Sequence, residues 1–253
     1  MTGKLEKAYG RFFAYIKIFV NPFKKVIIHT ECQIHKYINV QALEILKNDH
    51  FLDAHSFFSD HIASINEGAV WADQDLKSSG HFFHPEKNRG LYGNTNALVL
   101  ALNYYQSSLD YWKSGDMDQS MFFLGAAVHI VQDMTIPQHA NIRLLNNHRQ
   151  FENFIKRTYR STPIFSVSKG GYYVESIEEA VRCNARNAIK IYTKLKDIED
   201  SKKRYYTISK FIIPLAQKTT AGCFLRFYKD VGRHRSGDRR NTDTPGFRLN
   251  TKT

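Results

Sequence analysis

MDQSMFFLGAAVHIVQD, residues Met117–Asp133, is apolar on almost every side of a helical turn. A helix of that kind belongs at the centre of a bundle, because no face of it is polar enough to meet water. Gly125, Ala126 and Ala127 are small and let neighbouring helices approach closely. Into this segment the sequence sets His129 and Asp133, four residues apart and so one above the other on one helix face. An unpaired imidazole and an unpaired carboxylate are both costly in an apolar core. A buried His–Asp hydrogen bond satisfies the pair, and so does a shared cation; the two residues alone do not decide between them. Pro137 stops the helix one turn after Asp133. His139 is therefore expected on a loop that turns back toward the pair.

Helical periodicity extends outward from this segment in both directions. Ile38, Ala42, Ile45 and Leu46 continue a stripe begun at His35, and Phe51 to Ile65 is a second amphipathic stretch. Leu98, Ala101, Leu102, Tyr105, Leu109 and Trp112 form a third, with Asn94 or Thr95 as its cap and Gly115 as its end. Ser176-x2-Glu179 reads as a capping box opening a helix with the stripe Val181, Ala185, Ala188, Tyr192 and Leu195. A last helix is expected from about Tyr205 to Val231, kinked at Pro214. No strand-length alternation and no internal repeat stands out, and Gly80, Pro85, Gly90 and Gly93 mark one long loop. The expected architecture is all-α, a single compact bundle of about seven to eight helices with a metal cleft.

The 253 residues are 42% hydrophobic, enough for one full core. Cys32, Cys183 and Cys223 are odd in number and widely spaced, which excludes a disulfide framework and a thiolate zinc finger. A net charge of +12 attracts phosphate, as nucleic acid or as anionic lipid headgroups, without distinguishing them. Residues 1–24 form a basic and apolar N-terminal segment in which Lys17 splits the run Phe12 to Val20, too short to span a bilayer. It is expected either to lie on a membrane surface or to pack on the core as a helix. No small-x-small cleavage site follows it, which points to a cytoplasmic or peripheral membrane protein. Residues 25–232 form the all-α domain, and 233–253, with Arg233, Arg235, Arg239 and Arg240, a basic disordered tail.

Eight metal-capable side chains accompany this scaffold: His35, Asp73, His81, His129, Asp133, His139, His148 and Glu152. His148-x3-Glu152 repeats the one-face spacing of His129 and Asp133. Imidazole nitrogen and carboxylate oxygen are the donors zinc takes in catalytic sites. Asp75 and His84 are either supporting partners or merely solvated, and His50, His55, His61 and His234 read as ordinary surface or core histidines.

Five stretches resemble the bacterial zinc-dependent phospholipase C family. They are His35-Lys-Tyr-Ile-Asn-Val-Gln-Ala-Leu-Glu-Ile-Leu46; Ala72-Asp73 with His81-Phe-Phe-His-Pro85; Phe122 through His129, Asp133, Pro137, His139, Ala140 and Asn141; His148-Arg-Gln-Phe-Glu152-Asn-Phe154; and Gln217-Lys-Thr-Thr-Ala-Gly222 with Arg226 and Phe227. They stand in the family's order across roughly residues 30 to 232. The resemblance implies an all-α enzyme holding two to three Zn2+ ions. One ion would take Asp73, His81, His129 and Asp133, a second His139, His148 and Glu152, and a third His35 while sharing Asp133. It also implies Asp73 as general base or orienter of the attacking water, with phospholipid at a membrane surface as substrate. Attraction to anionic lipid, no specific nucleic acid and a monomeric state complete that expectation, for a family whose members are typically secreted.

Two departures from the family stand out. Its third zinc is held by an N-terminal tryptophan, whereas 34 residues precede His35 here and none is Trp. Glu31, four residues before His35, is either an exposed glutamate of the first helical turn or the replacement for that tryptophan, with Cys32, His29 or a processed N-terminus near residue 25 as alternatives. Gln74 and Ser78 stand where the family's headgroup pocket has aromatics, which removes the grounds for choline preference. Two rivals remain: a single-strand nuclease of the related three-zinc fold, whose signature usually carries aspartate in the place of Glu152, and a non-catalytic, metal-stabilised module for anionic surfaces.

Overall fold

In the computed structural model, residues 33–74, 80–91, 95–142 and 147–242 are described, with side chains up to residue 232. Nine α-helices and a 3-10 turn occur among them, and no strand. We number the helices α1 (Gln33–Asn48), α2 (Leu52–Asp60), α3 (Ile62–Ala72), α4 (Ala97–Ser114), α5 (Met117–Asp133), α6 (Pro137–Ala140), α7 (His148–Thr158), α8 (Ile177–Leu195) and α9 (Ser201–Thr242). The all-α expectation holds. The count exceeds seven to eight because one expected stretch divides and a short helix follows Pro137.

The apolar segment forms α5 with the expected ends, and every residue from Leu124 to Thr135 is buried. Asp116 caps it, its carboxylate accepting from Gln119 N at 3.1 Å. Gly115 ends α4 at φ +83°, a conformation that costs glycine nothing, so only two residues separate α4 from α5. The two helices turn back on each other and are clasped by reciprocal bonds, Ser108 Oγ to Ser120 O at 2.7 Å and Ser120 Oγ to Ser108 O at 2.8 Å.

On its other side α5 meets α3 at backbone distance. A Cβ on Gly125 would lie 1.9 Å from Ile65 O, and one on Gly68 would lie 1.7 Å from Phe122 O. Each glycine thus faces the carbonyl one turn earlier on its neighbour, the pattern of two parallel helices in register. That register carries Asp73, just past the end of α3, to the level of His129.

Several boundaries differ from expectation. Phe51 to Ile65 is two helices, broken at His61, where an i to i−3 bond to Phe58 O closes α2. Asn96 rather than Asn94 or Thr95 caps α4, accepting from Val99 N at 3.1 Å. His139 is not on a loop but within α6, because Pro137 with its preset φ starts a new turn as readily as it stops an old one. The capping box at Ser176 forms, with Ser176 Oγ accepting from Glu179 N at 3.1 Å; the Glu179 carboxylate reaches back to Glu175 N rather than to Ser176 N. α9 starts earlier and runs longer than expected, opening where Asp200 accepts from Lys203 N and continuing past Val231 to Thr242.

The main core lies between α1–α5, α8 and α9 and includes Phe58 stacked on Phe224 at 4.9 Å. Each fully buried Phe contributes about 1.5–3 kcal/mol. A second cluster joins α7 to α9 through Phe151, Ile155, Phe165, Tyr205 and Ile212. It holds in place the helix that carries His148 and Glu152.

Candidate metal centre

Six separate pieces of the chain deliver the eight expected donors to one region. α1 carries His35, the end of α3 carries Asp73, and the loop after Gly80 carries His81. His129 and Asp133 come from α5, His139 from α6, and His148 and Glu152 from α7. The loop is held to α6 by backbone and side-chain bonds: Phe83 N donates to His139 O at 3.2 Å, and His139 Nδ1 donates to His81 O at 2.9 Å. Phe82 stacks on the His139 ring at 4.8 Å.

The donors fall into three groups whose candidate ligand atoms lie within 4.8 Å of one another: His35, His129 and Asp133; Asp73, His81 and His129; His139, His148 and Glu152. Asp133 sits between the first two. Its Oδ2 is 2.8 Å from His81 Nδ1 and 3.3 Å from His129 Nε2, and its Oδ1 is 3.7 Å from His35 Nε2. In the third group His148 Nε2 lies 2.9 Å from Glu152 Oε1 and 3.1 Å from His139 Nε2.

Does this donor set fit a divalent cation? His129 is fully buried, yet its Nδ1 makes no hydrogen bond among the described residues, its Nε2 meets only the Asp133 carboxylate at 3.3 Å, and His81 Nε2 has no hydrogen-bond partner among them. A buried polar atom without a partner costs about 1–3 kcal/mol. Imidazole nitrogens and carboxylate oxygens are also zinc's usual donors. The fit is therefore good. His84 stays outside the groups and faces Glu86 at 3.3 Å, and His55 and His61 engage Ser59 and Phe57 instead. Glu31, Cys32, His29, Asp75, Ser78 and the side chain of His234 lie outside the described residues.

Electrostatics in the ion-free chain prepare the carboxylates. Burial alone would raise the Asp133 pKa, but His129 and His139 hold it well below the usual carboxylate range. Burial likewise opposes ionisation of Glu152, and hydrogen bonds from His139 and His148 overcome it and lower its pKa. The histidines divide. Burial, reinforced by His129, brings His35 down to about 4, and burial lowers His81. At His139 burial is outweighed by Asp133 and Glu152, which push it up to about 9, and Asp133 similarly raises His129. Both acids are thus ionised and ready to bind a cation.

Sequence reasoning passed over Gln132. It is 2% exposed, and its Oε1 lies 2.8 Å from His35 Nδ1. A polar amide inside the most apolar helix of the chain was the available signal.

Residues 34–216 match the family model described as zinc dependent phospholipase C. Phospholipase C of Clostridium novyi is 20% identical over 236 residues, covering 79% of this chain and 59% of the relative. Phospholipase C of Listeria monocytogenes is 27% identical over 134 residues, covering 49% and 45%. Among solved structures, the alpha toxin from Clostridium absonum shares the fold, with a TM-score of 0.68 and 20% identity over 78% of this chain and 63% of that one. The chain thus spans less than two thirds of the length of these proteins. A family match over most of the chain, on a shared helical fold, places this protein in the zinc-dependent phospholipase C family.

Proposed function

We propose that the chain hydrolyses the phosphodiester bond of glycerophospholipids, releasing diacylglycerol and a phosphorylated headgroup, and that it works as a monomer on the membrane surface. The observation that carries this reading is the convergence of three imidazole–carboxylate groups, two of them sharing His129, inside the family's scaffold.

His139, His148 and Glu152 would hold one zinc ion; Asp73, His81 and His129 with Asp133 a second; His35 with Asp133 a third. Bound there, the ions would neutralise the non-bridging phosphate oxygens and the charge that grows in the transition state. Asp73 would orient the attacking water or take its proton, and an ion-bound water or another acid would give a proton to the leaving glycerol oxygen. Phe82, buried and stacked on His139, shields the inner side of the site from solvent. Gln74, in the place where the resemblance puts an aromatic, offers no π-face to a quaternary ammonium, so choline headgroups gain no preference. The net charge of +12 draws the protein to anionic lipid.

The test is turnover on vesicles containing anionic lipid, run beside single-stranded DNA, before and after zinc is stripped by a chelator. Zinc-dependent release of diacylglycerol supports the reading. Lipid turnover that survives complete loss of zinc, or a preference for DNA, would sink it. Asp73→Asn should keep most of the zinc and lose about 10²–10⁴ of the rate, the usual contribution of a positioned base.

A further inference from the structure

His35 is the donor with the least support from its own neighbourhood in sequence. It lies in the first turn of α1, and its Nε2 is 3.7 Å from the Asp133 carboxylate. A neutral imidazole offers a cation one nitrogen, and which one is set by the bond the other nitrogen makes. At His35 that bond goes to Gln132, and Gln132 is itself held from two sides.

The Gln132 Nε2 donates to Asn39 Oδ1 at 2.8 Å and to Thr220 Oγ1 at 3.1 Å. Asn39 Nδ2 in turn donates to Asn66 Oδ1 at 3.0 Å. Asn39, Gln132 and Thr220 are 0%, 2% and 0% exposed, so water does not compete for these bonds. Both identified acceptors lie on the Nε2 side of the Gln132 amide. Its Oε1 therefore faces His35, and an amide oxygen only accepts. His35 Nδ1 must carry the proton, which leaves the Nε2 lone pair free on the side of Asp133. Four helices (α1, α3, α5 and α9) contribute to this chain of amides and hydroxyl.

We propose that Gln132 is a positioning residue: it fixes the tautomer and the aim of His35, so that a cation site between His35 and Asp133 is already formed in the ion-free protein. The proposal rests on the zinc reading above but concerns a residue that touches neither the ion nor the substrate. A network that served only to satisfy buried polar groups would leave metal affinity and the His35 tautomer unaffected by Gln132.

The first measurement needs no variant. Nitrogen chemical shifts of the His35 ring in zinc-free protein at pH 7 are expected to show Nδ1–H with a bare Nε2; the opposite tautomer overturns the proposal even if zinc binds. The second is Gln132→Met, close in volume and without the acceptor. It is expected to weaken the weakest-held zinc by about 10- to 100-fold, the usual effect of losing such a partner, while ions at the other groups stay. Folding is checked by circular dichroism and melting. A folded Gln132→Met protein with wild-type zinc affinities and an unchanged His35 ring overturns the proposal. Absence of zinc from the wild-type protein would instead remove the functional reading, so the two failures are distinguishable.

Discussion

Asp133 faces three histidines with two oxygens and is buried while ionised. That combination makes cation uptake a competition with protons. In the ion-free chain His139 titrates at about 9, raised by carboxylates that overcome burial. Below that pH it holds a proton that an incoming ion must displace; above it the competition ends. Zinc loading at pH 7 should therefore release protons, with the release shrinking and the apparent affinity rising as pH climbs through about 9. Calorimetry in buffers of differing ionisation enthalpy measures this directly, and uptake at pH 7 with no proton exchange would contradict it. At this scale the donors were largely legible, because His129 and Asp133, and His148 and Glu152, share helix faces by their spacing alone. Gln132 was not, since its bond to His35 spans 97 positions and depends on how α1 packs on α5.

The approach of α3 to α5 decides whether Asp73 reaches His129. Replacing Gly125 by Ala gains up to about 1 kcal/mol of helix propensity. The new Cβ, however, would sit 1.9 Å from the Ile65 carbonyl, which is backbone and cannot rotate away. Forcing extra atoms into such a contact costs about 1–3 kcal/mol, so the variant should be less stable overall. It should also bind zinc more weakly, because separating the helices draws Asp73 from His129. Denaturant unfolding and a zinc titration measure the two effects; an unchanged midpoint with unchanged affinity would contradict the packing. The sequence showed that Gly125 permits close approach but not that Gly68 is its counterpart. Nor did it mark the break at His61, where no Pro or Gly interrupts the helical pattern and only a local i to i−3 bond closes the turn. Pro137 was read as a stop, and it also acts as a start.

Taken whole, the molecule is a helical scaffold whose buried centre is polar where the donors meet and apolar elsewhere. Among the described residues no helix is long and apolar enough to cross a membrane. The chain spans 59% of the Clostridium novyi relative. The fold was legible because helical periodicity runs through almost every segment; the placing of the site needed the three-dimensional register of α1, α3, α5 and α7. The most direct test is a crystal grown with ample zinc and measured on both sides of the zinc absorption edge. The account predicts anomalous peaks at His139–His148–Glu152 and beside Asp133, at the 2.0–2.2 Å usual for zinc with nitrogen and oxygen donors. Well-ordered donor side chains with no peak between them would contradict it.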